Sequence, residues 1–328
     1  MRDVTIYDVA ERAEVSISTV SLALNHPGRV KRATLDRVLE VADELGFVPK
    51  ARAVVQARRG LDRIAAVAPF TSYPSFSRRL NGVLEELGDS GTQLLVSDCE
   101  DIAVSTSPVL ASMPVKGHVD GLLNLGVPMD HAIGERLKSR LPTVLLDTRY
   151  PGIPDISVDD REGGRLLGEH LRRLGHRRIA YVNEVESYAF DSPPVLRLEG
   201  LRQVFGADVR EIVVPRGTHA GASAVSELLA DRDAVTAIVA CRDLVAFGVI
   251  GELTRQGIDV PGEMSVAGFD DDQVAEVMGL TTVRHPFEES GRRAVRMLRR
   301  ILAQPGVAIE SEMLPLTLIE RDSTAPPA

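Results

Sequence analysis

From Arg63 onward the chain alternates short apolar runs with amphipathic stretches, and that alternation admits few architectures. The apolar runs occupy residues 64–68, 93–96, 121–125, 143–146, 179–182, 211–214, 237–240, 265–269 and 281–283. Helical periodicity falls between most of them, over residues 77–87, 163–174, 196–205, 220–229, 244–255 and 287–302. Strands and helices in such alternation imply parallel sheets with helices on both faces. Nine runs are many for one sheet. Two similar, doubly wound parallel-sheet subdomains with a cleft between them are therefore expected, with polar groups collecting where strand C-terminal ends meet loops. Strand count alone would suit one large sheet equally. Residues 323–328 read as a loose tail.

The first fifty residues carry helical spacing only. Ile6, Val9, Ala10 and Ala13 share one helix face, and Thr5 is placed to cap it. After a turn at Glu14 and Val15, Ser16 can cap a second helix that turns Val20 and Leu24 inward. The stretch Asn25-His26-Pro27-Gly28 breaks the helix, and a third, over residues 33–45, buries Leu35, Val38, Leu39, Ala42 and Leu45 before Gly46 closes it. Three small helices sharing one core follow.

Charge sharpens the contrast between these two parts. The net charge of -9 would argue against nucleic-acid binding if it were spread evenly. Residues 1–60 instead carry 10 Lys+Arg against 8 Asp+Glu, a net of +2, which leaves -11 on the remainder. Cys99 and Cys241 lie far apart with no CxxC or Cys/His spacing, so buried thiols in a reducing compartment are expected. No stretch approaches the roughly 18 consecutive apolar residues of a membrane helix, and a cytoplasmic protein without membrane attachment is the expectation.

The densest signal runs from Val4 to Ser21, where a helix ending in small Ala13 meets a tight turn and a second helix opening with Ser and Thr. That geometry presents a recognition helix to the major groove of DNA. Thr19, Ser21 and Asn25 can donate to phosphates, which sets register without reading sequence. A plain three-helix packing module with capping hydroxyls would show the same local chemistry. The order Thr-x-x-Asp-Val-Ala-x-x-Ala-x-Val-Ser-x-x-Thr-Val-Ser from Thr5 to Ser21, with Phe47-Val48-Pro49 after the third helix, resembles the lactose-repressor (LacI/galactose-repressor) family. The resemblance continues through Val119-Asp120-Gly121-Leu122, Gly163-Gly164-Arg165, Leu174-Gly175-His176, Arg197-Leu198-Glu199-Gly200 and Gly268-Phe269-Asp270-Asp271, which are similar to landmarks of that family's sensor domain.

The resemblance implies an all-α helix-turn-helix headpiece over residues 1–49, a hinge over 50–60, and an α/β sensor over 61–328 built as two interwoven, periplasmic-binding-protein-like subdomains. It implies a homodimer on pseudopalindromic operator DNA, repressing until a sugar or sugar derivative in the interdomain cleft changes headpiece affinity. DNA-facing candidates are Thr5, Tyr7, Ser16, Ile17, Ser18, Thr19, Ser21, Leu22, Asn25 and Arg29, with Arg52 and Val55 from the hinge. Two departures stand out. The family usually places Arg where this chain has Leu22, and Leu reaches only thymine methyls, not the bidentate guanine contact. A Leu22 that packs in the core is the alternative. In the hinge, Gln56 stands where the family wedges a Leu into the minor groove, which leaves Val55 as a substitute or the hinge as a plain linker.

For the effector, the loop from Phe70 to Phe76 offers Tyr73 and Phe76 as stacking faces, and Asp147 at a strand end can hold hydroxyls. The family resemblance adds Arg197, Arg242, Asp270 and His285. Two arginines would suit an anionic effector such as a sugar phosphate, and each residue has a capping or surface role as its alternative. The chain has no GxGxxG after a strand, Walker loop, GxSxG elbow or HExxH, so neither an enzyme nor a bound cofactor or metal is expected.

Overall fold

The computed structural model describes residues 4–47, 63–71, 74–99, 107–116, 119–185, 192–217, 219–230, 235–304, 306, 308 and 310–328. The hinge candidates Arg52, Val55 and Gln56 and the effector candidate Tyr73 lie outside these residues.

At the N-terminus, α1 (Ile6–Arg12), α2 (Ile17–Asn25) and α3 (Arg32–Glu44) form where the capping chemistry allows. The backbone N–H and the hydroxyl of Thr5 both donate to Asp8 Oδ2, at 2.7 and 2.6 Å, which fixes the first turn of α1. Glu14, at φ 53°, takes the left-handed turn. Ser16 then starts α2, its Oγ accepting from the Thr19 N–H at 3.1 Å. Val9, Ala10, Ala13, Val20, Ala23, Leu24, Leu35, Val38, Leu39 and Ala42 are buried. Leu45 is only half-buried; Phe47 fills the base of this core instead.

The described chain divides into two compact units, Met1–Ser157 with Phe287–Glu312, and Val158–Pro286 with Met313–Ala328. In unit 1, β1 (Arg63–Ala68) lies between β2 (Gln93–Asp98) and β3 (Gly121–Leu125), with β4 (Thr143–Leu146) and β5 (Asp155–Val158) beyond, all parallel. Every residue of β3 and β4 is buried, as strands covered on both faces must be. Helices α4 (Pro74–Leu87), α5 (Pro108–Lys116), α6 (His131–Arg140) and a long late helix, Phe287–Ala303, accompany them. In unit 2, β6 (Ile179–Glu184), β7 (Val209–Val214), β8 (Ala237–Ala240) and β9 (Ser265–Ala267) form a second parallel sheet in the order β7-β6-β8-β9. Helices α7 (Asp160–Leu174), α8 (Pro193–Phe205), α9 (Ala220–Ala230), α10 (Asp243–Arg255) and α11 (Gln273–Val277) belong to this unit, as does β10 (Thr282–Arg284), antiparallel to Thr317–Ile319. Two separate parallel sheets replace the single large one that strand count alone allowed.

The C-terminus corrects one expectation. Residues 323–325 are pinned, not loose. The Ser323 hydroxyl donates to Val266 O at 2.6 Å and accepts from the Thr281 N–H at 2.8 Å. His176 Nε2 and the Ser265 hydroxyl both reach Ala325 O, at 3.0 and 3.1 Å, and His170 Nε2 lies 2.9 Å from the Thr324 hydroxyl. These partners are distant in sequence, so a short polar tail gave no local sign of them.

Candidate functional site

Helix α2 divides cleanly into two faces. Val20, Ala23 and Leu24 are buried, whereas Ser18 and Asn25 are exposed, Ile17 is 43% exposed, and Ser21 and Leu22 are half-buried. Leu22 is therefore outside the core that Leu24 fills, which favours the DNA-facing reading over the packing one. Tyr7 on α1 is 66% exposed, and Arg29 is exposed as well. The hydroxyls differ in what is left to them. Thr5 is spent on Asp8, while Ser16 shares its oxygen with Ser18 and Thr19 at 2.7 and 2.8 Å on an exposed surface. Asn25 donates to Ser21 at 3.3 Å.

In unit 1, Phe76 and Asp147 are brought together by a residue that sequence reasoning missed. Arg79, one helical turn after Phe76, is buried with its guanidinium 5.0 Å from the Phe76 ring centroid and 4.4 Å from that of Phe287. It also forms an ion pair with Asp147. Asp147 leaves β4 at φ 51°, in the left-handed region. The signal for Arg79 was available: a cation at i+3 from an aromatic shares its helix face.

In unit 2, Arg197 on α8 is only 7% exposed and has a partner near each of its three nitrogens. Its Nε donates to Asp160 Oδ1 at 2.8 Å and its Nη1 to Cys241 O at 2.6 Å, with Asp270 Oδ1 3.7 Å from Nη2. The guanidinium carbon sits 3.6 Å from the Phe269 ring centroid. Burial opposes the Arg197 charge, yet Asp160 and Asp270 raise its pKa above the ordinary guanidinium value. The close approach of α7 and α8 makes this contact possible, because a Cβ on Gly164 would lie 2.0 Å from Arg197 O.

Arg242 at the start of α10 pairs with buried Glu184 at the end of β6, and Glu184 also accepts from the Gly217 N–H at 3.2 Å. Asp270 and Asp271 take φ of 112° and 54°. Asp271 accepts from Arg284 Nε at 2.6 Å and Arg321 Nη2 at 2.7 Å; burial works against its charge, but these two cations hold its pKa below the usual value. His285 is buried, with its N–H 3.5 Å from Asp270 O. Sequence reasoning named Arg197, Arg242, Asp270 and His285 as candidates without the carboxylates Asp160 and Glu184 that partner the two arginines. Among the described residues, no group of three or more His, Cys, Asp or Glu could hold a metal ion, and no helix is long and apolar enough to cross a membrane.

A headpiece that exposes one face of its second helix, followed by two parallel-sheet units, defines a DNA-binding transcriptional regulator with a periplasmic-binding-protein-like sensor. Residues 5–50 match the model for bacterial regulatory proteins of the lacI family, and residues 169–324 match the periplasmic binding protein-like domain. The HTH-type transcriptional regulator DegA of Bacillus subtilis (strain 168) is 31% identical over 98% of this chain and 98% of its own. The transcriptional regulator CelR, solved with cellobiose, is 27% identical with a TM-score of 0.67, over 98% of this chain and 99% of that one. The lac repressor dimer bound to operator and the anti-inducer ONPF is 25% identical with a TM-score of 0.68, over 99% and 100%. The chain belongs to the LacI family of bacterial regulatory proteins.

Proposed function

We propose that this regulator is a cytoplasmic repressor that binds a pseudopalindromic operator as a homodimer and answers to an uncharged sugar or sugar derivative. In this reading residues 1–49 contact DNA, 50–60 connect, and 61–328 sense and dimerise. Ile17, Ser18, Ser21, Leu22 and Asn25 face the bases and phosphates, with Leu22 in apolar contact with a thymine methyl. The dimeric, operator-bound state of the lac repressor and the sugar held by CelR support the assembly and the effector class.

The observation that carries the effector reading is the pairing of charge. Arg79 is matched by Asp147, Arg197 by Asp160 and Asp270, and Arg242 by Glu184. A phosphate would need an arginine whose charge is not already balanced, and beside any one of these pairs it would meet a carboxylate of like charge. Paired guanidinium and carboxylate groups, held rigid beside aromatic rings, offer fixed donors and acceptors instead, which suits hydroxyls and not an anion. This sets aside the sugar phosphate that two arginines alone suggested.

Calorimetric titration of the full chain with neutral sugars, their phosphate esters and purines, with and without operator, tests the reading. A neutral sugar is expected to bind, with its ester bound more weakly. Asp270→Asn and Arg197→Ala are expected to lose about 2–5 kcal/mol of ligand affinity if their contacts are buried charged hydrogen bonds. By linkage, effector and operator must change each other's affinity by the same factor. Tighter binding of the phosphate ester, or unchanged affinity in both variants, would overturn the assignment.

A further inference from the structure

Asp243, the first residue of α10, is 0% exposed and is the most enclosed carboxyl of unit 2 among the described residues. Its backbone N–H donates to Phe269 O at 2.8 Å. Its Oδ2 accepts from the Asp272 N–H at 2.7 Å, and its Oδ1 from the Thr282 hydroxyl at 2.7 Å. One side chain therefore ties the start of a helix, the turn after β9 and the strand β10 together. The turn it spans, residues 268–272, is the one that holds Asp270 and Asp271 at positive φ and sets Asp270 beside Arg197. It crosses directly over the carboxyl: a Cβ on Gly268 would lie 2.2 Å from Asp243 Oδ1.

We infer that Asp243 is a positioning residue for effector recognition, and that it acts as a neutral carboxylic acid bridging the 268–272 turn to α10 and β10. The inference rests on the reading of Asp270 as an effector contact. Three features of the geometry support the neutral form. No cation pairs with Asp243 among the described residues, and the charged groups nearest to it, Asp270 and Asp272, are themselves acidic. The cations around the turn are engaged elsewhere, Arg197 with Asp160 and Asp270, and Arg284 and Arg321 with Asp271. The Thr282 hydroxyl can reverse its hydrogen bond and accept from a protonated Oδ1 without moving. Consistently, burial first and the Asp270 carboxylate second push Asp243 up to about 8.

Amide hydrogen exchange of the full-length protein without ligand, read on peptides covering residues 265–284 between pH 5.5 and 8.5 and corrected for intrinsic exchange, tests the inference. Asp243→Asn keeps the shape in a form that does not titrate, whereas Asp243→Ala removes the bridge. The variant Asp243→Asn is expected to protect residues 268–272 at least as well as wild type at neutral pH, and Asp243→Ala to fall at least about tenfold below Asp243→Asn. The sign of the pH dependence follows from a folded pKa above the exposed one. Protection in wild type relative to Asp243→Asn should fall by up to about tenfold per pH unit through the range from about 5 to about 8, then level off. If Asp243→Ala leaves residues 268–272 protected, Asp243 merely starts α10. If Asp243→Asn loosens the turn as much as Asp243→Ala, the ionised carboxylate is required. Either result overturns the inference. Because no effector is present, failure of the sugar titrations would leave this outcome standing and would count only against the effector reading.

Discussion

The contact between α7 and α8 offers the most direct test of the sensor architecture, because its chemistry is that of one methyl group. An ideal Cβ on Gly164 would stand 2.0 Å from Arg197 O and 2.8 Å from Arg197 C, both backbone atoms that cannot swing aside. Gly200 mirrors it, its Cβ 2.0 Å from Arg161 O. Carbon needs roughly 3.5 Å from such neighbours, so Gly164→Ala must part the helices by about 1.5 Å. Overpacking of this kind typically costs about 1–3 kcal/mol, and a rigid backbone obstacle belongs at the upper end. Alanine returns about 1 kcal/mol of helix propensity relative to glycine. The net expectation is a loss of about 2 kcal/mol, which lowers the melting temperature by about 4–8 °C for a unit of this size. Separating the helices also stretches the 2.8 Å bond from Arg197 on α8 to Asp160 on α7, so effector affinity should fall with stability. Gly168 on the same helix provides the control: its Cβ would meet Val204 Cγ2 at 3.0 Å and Val204 Cβ at 3.1 Å, so the neighbour must give by only a few tenths of an ångström. Gly168→Ala is expected to be near neutral. Scanning calorimetry of both variants decides the matter, and equal melting temperatures would refute the close helix approach.

Three further outcomes are expected. Leu22→Arg should shift selection from a randomised half-site toward guanine at the facing base pair by about 1–3 kcal/mol, and identical selection by wild type and variant would place Leu22 away from DNA. Burial lowers the pKa of both His170 and His176, so the stability they lend is complete above about pH 6.5, the ordinary value, and drains away as pH falls below it. Urea unfolding at pH 7.5 and 5 should show that loss diminished in His176→Gln, and an unchanged loss would clear His176 of the role. Arg79→Met should cost about 3 kcal/mol, near the low end for a broken buried pair because Asp147 is partly exposed, and adding Asp147→Asn should recover part of it. Strictly additive losses in that double-mutant cycle would show that the two side chains do not interact.

What could be read in advance was what local chemistry determines. The headpiece was legible because Thr5 with Asp8 and Ser16 with Thr19 cap their helices within three residues of themselves. The sheets were legible because runs such as 121–125 are apolar throughout, as a strand covered on both faces requires. Helix α5 escaped notice because Pro114 interrupts its pattern, and β5 because Asp155-Ile156-Ser157-Val158 is short and half polar. The site residues divide along the same line. Arg197 and Asp270 stand in recognisable motifs, but Asp160 lies 37 residues from the arginine it neutralises and Asp147 lies 68 from Arg79. Only folding reveals those pairs, and the proposal of a neutral effector rests on them. Counting the arginines alone points to an anionic ligand; counting each with its carboxylate points to a neutral one. The motif therefore locates effector-contact candidates while leaving the sign of their field open, and that sign is set by carboxylates that the fold delivers from elsewhere in the chain.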